Sequence, residues 1–173
     1  MNSTVPLALI LLTGVAMITD ITARRIPNFL ILIGLVGGTL VQTLQGDLLQ
    51  GVLTLLLMFA LTFPLFLLQG LGAGDVKLLM VLGLWTDPLW GFSIFFWTAM
   101  AGGVLAILVM GGSRQGSHSW RNFRAYLYNF LVLRVLPPTN ADSKSATLPY
   151  AIPIFAGTLL AFFFPLNLFN LWR

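Results

Sequence analysis

Gly72-Ala73-Gly74-Asp75-Val76-Lys77 sets an acid and a base between two long apolar runs. Ionisable side chains at the edge of a membrane segment are costly unless they are paired, hydrated or used. The stretch is therefore both a break in the hydrophobic pattern and a candidate site. The apolar part of the run that follows it, Val76–Trp85, is only ten residues long before Thr86-Asp87-Pro88. At 1.5 Å per residue such a helix covers about half of a ~30 Å hydrocarbon core. Either it begins below the membrane surface, with Asp75 inside the profile, or it continues past Pro88 at a tilt; the first is expected.

Read outward from this stretch, the chain is a series of further spans. Those expected lie at about 5–20, 26–44, 48–68, 75–86, 90–110 and 149–168, and the longer ones approach the roughly 20 residues of a bilayer crossing. The first run follows Asn2-Ser3-Thr4 with no basic segment before it and no small-residue cleavage site after it, so it reads as a retained helix rather than a signal peptide. Asp20 to Arg25 reads as a short turn, with Pro27 able to open the second helix. Pro153 and Pro165 are read as tolerated within the last span. The fold expected is an all-α membrane protein, a bundle of six transmembrane helices forming one domain over 1–173. Between helices five and six, residues 111–148 form a long polar segment. There Trp120, Phe123, Leu127, Phe130 and Leu131 recur at helical spacing beside Arg121 and Arg124, fitting an interfacial amphipathic helix and, equally, a loop that covers the bundle.

Composition limits the chemistry. Of 173 residues 58% are hydrophobic and 8% charged, against roughly a quarter charged in soluble domains. With six spans, Arg24, Arg25, Lys77, Arg114, Arg121, Arg124, Arg134 and Lys144 share one side and Arg173 lies on the other. The positive-inside rule makes the crowded side cytoplasmic, with both termini outside. Confinement of the bases to loops also explains the net charge of +4 without nucleic acid. Cysteine is absent and His118 is the single histidine, which disfavours a thiolate or histidine metal site and a Ser-His-Asp triad. No metal or other cofactor is expected.

The five acids are all aspartate. Asp47 and Asp87 fall in short external turns and read as turn residues, and Asp142 reads as solvated. Asp20 ends the first span and Asp75 begins the fourth, so a bundle can face both into one cavity at the cytoplasmic boundary. Two neighbouring carboxylates do not both ionise cheaply, and the pair can hold and activate a water against a peptide carbonyl. Gly72 and Gly74 are expected to supply backbone angles other residues resist and close approach for an extended peptide, with helix packing as the structural alternative.

Asp20-Ile-Thr-Ala-Arg-Arg-Ile-Pro-Asn28 together with Gly72-Ala-Gly-Asp-Val-Lys77 closely resembles the two signature stretches of the type IV prepilin peptidases, membrane aspartyl proteases of the Gly-x-Gly-Asp type. Leu148-Pro149-Tyr150-Ala151 is also similar to the start of the last span in the family's short members. The resemblance implies Asp20 and Asp75 as the catalytic pair. It implies cleavage of the basic leader from prepilin or pseudopilin substrates at the cytoplasmic face of the bacterial inner membrane. Larger members add a cysteine-paired cytoplasmic domain and methylate the new N-terminus. This sequence looks like the short, peptidase-only branch that accompanies Flp-type (tight-adherence) pili, which points to cleavage without N-methylation and to pilus assembly machinery as a further partner.

Each residue also has a plainer reading. Asp20 could be a helix-end anchor pairing with Arg24 or Arg25, worth about 0–1 kcal/mol at an interface, and Asp75 could be the N-cap of the fourth helix. Arg24 and Arg25 read as topology signals, since they would repel a basic leader. Lys77 reads as a boundary marker, a lipid-headgroup contact or a charge acting on a nearby aspartate, and Asn28 as a cap for the turn of Asp20 or a plain turn residue. Two rival functions are a small transporter or proton relay using Asp75 and Lys77, and a silent pilus or secretion assembly protein. The first lacks mid-span charges, and the second would lack one of the aspartates.

Overall fold

A computed structural model describes residues 4–68, 70–112 and 150–166. Those residues form six helices and the turns between them: α1 (Thr4–Ala23), α2 (Asn28–Gln45), α3 (Leu48–Leu67), α4 (Ala73–Leu84), α5 (Pro88–Gly112) and α6 (Ala151–Phe163). Four of them, α1, α2, α3 and α5, are long and apolar enough to cross a membrane, and α6 is a shorter apolar helix. The chain is a membrane protein, all-helical among the described residues. The segment expected to lie along the interface falls, from residue 113 to 148, outside the described residues.

The turns follow from local chemistry. α2 stops at Gly46, whose φ of 79° is left-handed, while the Asp47 N–H reaches back to the Gln42 carbonyl at 3.0 Å; glycine takes that conformation without steric cost. α5 opens on Pro88, with Asp87 before it as a cap whose Oδ1 accepts the Trp90 N–H at 2.8 Å. This break keeps α4 from running on past Pro88. α1 ends less comfortably, at Arg24, a non-glycine residue with φ of 50° whose N–H closes onto the Asp20 carbonyl at 2.8 Å.

Several expected boundaries move. α1 runs one turn beyond Asp20, so the turn is Arg24–Pro27 rather than Asp20–Arg25, and Pro27 is the extended N-cap of α2 rather than its first residue. The last helix is thirteen residues long and ends at Phe163. Pro165 thus lies beyond the helix, and only Pro153, in the first turn, has to be accommodated. Asp75 is not a cap: α4 begins at Ala73 with Gly72 as N-cap, which places Asp75 at the third helical position.

Packing places the shortest helix at the centre. α4 touches α2, α3, α5 and α6, and the others close a ring around it in the order α1, α2, α3, α5, α6 and back to α1. Val76, Leu78, Leu79, Val81, Leu82 and Leu84 of α4 are all buried. In lipid the hydrophobic effect does not hold helices together, so close approach has to do it. Val81 and Trp85 lie against Gly34, Gly37 and Gly38 of α2, and the Trp85 indole N–H donates to the Gly34 carbonyl at 2.8 Å. α4 and α3 meet where Gly83 leaves no room for a Cβ, which would stand 2.9 Å from the Thr54 carbonyl oxygen.

Candidate active site

Asp20 reaches the interior because of its register. Val5, Leu9, Leu12 and Ala16 form the buried stripe of α1, and Asp20 is the next position on it; Leu7, Leu11, Val15 and Ile18 face outward. A stripe stepping by three and four residues is one helix face. The side chain is 9% exposed, and its Oδ2 accepts the Ala151 N–H at 3.2 Å. Ala151 is the first residue of α6, and the preceding cap residue, Tyr150, gives no side-chain bond. The first N–H groups of any helix lack intrahelical partners. Asp20 therefore caps α6 from α1, 131 positions away in sequence, instead of serving as an anchor for Arg24 or Arg25.

Asp75 is also 9% exposed. Its Oδ2 accepts the Gly72 N–H at 3.0 Å, the reach-back bond of a helix start in which the third residue satisfies the cap N–H. Gly72 is extended (φ −78°, ψ 156°), and among the described residues only Gly46 has a positive φ for a glycine. The expectation of unusual backbone angles at Gly72 and Gly74 is thus not met. What matters is space. A Cβ on Gly72 would stand 3.0 Å from the Asp75 carboxylate oxygen, and one on Gly74 would touch Ile26 at 3.4 Å.

The two carboxylates are close enough for the charge of Asp20 to act on Asp75. That juxtaposes an α1 side chain and an α4 side chain at one end of the bundle, each bonded to a backbone N–H at a helix start. Two buried acids at one end of a bundle supply the groups that acid–base chemistry needs, a base toward a water and a proton donor. Beside them, the Lys77 Nζ donates to Asn28 Oδ1 at 3.3 Å, tying α4 to the start of α2. Asn28 therefore meets Lys77 rather than the turn of Asp20. Ala23, Arg25, Ile26, Pro27 and Asn28 line an open cleft of ≈ 420 Å³ at this end. Among the described residues no three His, Cys, Asp or Glu side chains gather as a metal site would need.

Sequence reading did not single out Tyr150 or Ala151 as site residues. The Tyr150 phenol lies within reach of the Asp75 charge, and Ala151 holds Asp20. The Pro149-Tyr150-Ala151 string is the only sequence signal for either, since a backbone N–H carries no side-chain signature.

A helical bundle with two buried aspartates at one end defines the class, a multi-pass membrane protein with a pair of carboxylates brought to one site. The chain belongs to the type IV leader peptidase family, whose profile matches residues 7–107, a range containing both Asp20 and Asp75. Membership makes it an aspartic prepilin peptidase, an enzyme that removes leader peptides from prepilins. Comparison with curated proteins and with solved structures returns no match to either.

Proposed function

We propose that Asp20 and Asp75 are the catalytic pair of this peptidase, acting on Flp-like prepilins at the cytoplasmic face of the bacterial inner membrane without N-methylation. The juxtaposition of the two carboxylates carries the reading. One carboxylate takes a proton from a water held between them, and the water oxygen attacks the scissile carbonyl. The other, protonated, gives its proton to the developing oxyanion or the leaving amine. The ≈ 420 Å³ cleft lined by Ala23, Arg25, Ile26, Pro27 and Asn28 supports approach of an extended peptide at this end of the bundle, with Ile26 standing between the cleft and Gly74. Lys77 supports the cleft through Asn28.

In membrane terms the reading has six helices inserted, with α4 entering only part-way, the bilayer thinned beside the short α6, and the Arg24–Arg25 turn cytoplasmic by the positive-inside rule. Both termini then lie outside. The absence of cysteine supports the peptidase-only branch. The test is leader removal from a Flp-type prepilin co-expressed with wild type, Asp20→Asn or Asp75→Asn at matched membrane levels. Wild type should cleave and both variants should fail. Cleavage by either variant at the wild-type rate removes that aspartate from the mechanism.

A further inference from the structure

We propose that Tyr150 is a positioning residue for the aspartate pair: a wedge between α5 and α6 whose phenol, seated on Gly102, holds the start of α6 where the Ala151 N–H meets Asp20. The inference rests on Asp20 and Asp75 being the catalytic pair.

Three observations converge on it. A Cβ at Gly102 would overlap the Tyr150 phenol oxygen and stand 2.8 Å from Cζ and 3.4 Å from Cε2, so α5 has a notch shaped by the missing side chain. Tyr150 is the cap residue of α6 and packs on the hydrophobic core through its ring. The residue immediately after it donates to Asp20. Deeper in the same seam a Cβ at Gly157 would stand 2.5 Å from the Thr98 backbone nitrogen and 2.6 Å from its Cα, so α5 and α6 are in near-backbone contact there. The Gly157 contact fixes the spacing of the two helices, and the phenol on Gly102 fixes the end of α6 that carries the donor. A rigid body pinned at two points along its length cannot pivot its N-terminus away from Asp20. Misplacing a catalytic group by about 1 Å can cost on the order of 100-fold in rate, so this seat matters more for turnover than for substrate affinity.

The experiment measures kcat and KM for cleavage of a prepilin spanning the leader and first apolar segment, using full-length protein in detergent. The variants are Tyr150→Phe, Tyr150→Ala, Gly102→Ala, the Gly102→Ala/Tyr150→Phe double, and Asp20→Asn as control. Tyr150→Ala and Gly102→Ala should each lower kcat about 10- to 100-fold at nearly constant KM. Tyr150→Phe keeps the ring in the notch and should stay within roughly threefold of wild type; in the Gly102→Ala background it removes the overlapping oxygen but leaves Cζ 2.8 Å from the new Cβ, so it should restore only part of the loss. A structural lesion alone would not separate kcat from KM in this way. An unchanged kcat in Tyr150→Ala or in Gly102→Ala overturns the proposal, as does a Tyr150→Phe loss equal to that of Tyr150→Ala. If Gly102→Ala does not accumulate, the Tyr150→Ala and Tyr150→Phe pair decides. Full cleavage by Asp20→Asn would instead sink the catalytic reading of the pair.

Discussion

Replacing Asp20 by asparagine and by alanine separates its two roles. The carboxylate is buried and its Oδ2 holds the Ala151 N–H, the first donor of α6, at 3.2 Å. Asparagine keeps an acceptor oxygen in place. It loses the attraction between a negative charge and the helix N-terminus, about 0.3–1 kcal/mol. Alanine leaves a buried N–H without a partner, which costs about 1–3 kcal/mol. Alanine should therefore be less stable than asparagine by about 1–2 kcal/mol. Cleavage should fall in both by about 10²- to 10⁴-fold, the usual contribution of one acid–base group. Thermal unfolding of the purified protein can be followed by tryptophan fluorescence, because α6 meets two indoles: Trp90 lies against Phe162, and the Trp97 N–H donates to the Phe164 carbonyl at 2.9 Å. Equal stability of the two variants would refute the capping role, whatever their activities.

Gly83→Ala forces a Cβ to within 2.9 Å of the Thr54 carbonyl oxygen; overpacking against backbone should cost about 1–3 kcal/mol, and a melting temperature equal to wild type would count against the α3–α4 contact. Arg24→Gly relieves a left-handed non-glycine backbone at φ 50° and should raise stability by up to about 1 kcal/mol, read by the same melt; a loss would mean the Arg24 side chain contributes more than its backbone costs. Trp85→Phe removes the 2.8 Å bond to the Gly34 carbonyl and should cost about 0.5–1.5 kcal/mol, whereas no change would show that packing on Gly37 and Gly38 holds the ring unaided.

The two buried aspartates stood out because carboxylates are rare in this chain, and a rare polar group in an apolar run is conspicuous. Helix faces were not. In α1 the buried Leu9 and the exposed Leu11 are the same residue type, because lipid and protein interior are both apolar and leave no contrast for periodicity to report. The face of α1 can be found only by working back from Asp20. Helix limits were readable where chemistry forces them, at Gly46 and at Asp87-Pro88, and misread where nothing does, at Arg24 and after Phe163. Asp75 shows a third limit. Its position at the edge of an apolar run fits an N-cap, but Gly72 takes that place and the aspartate reaches back to it.

Because α4 packs against four helices and is only twelve residues long, ~18 Å against a hydrocarbon core of ~30 Å, it has little lipid contact through which to sense bilayer thickness. A thicker or thinner membrane acts on the outer helices, by tilt or by deformation of the surrounding lipid. The depth of Asp75 is set instead by the glycines of α2 against which α4 rests and by Gly83, where α4 itself meets α3. Asp75 is in this sense suspended from the protein rather than from the membrane, whereas Asp20, carried on the outer helix α1, is the partner through which bilayer thickness can reach the pair.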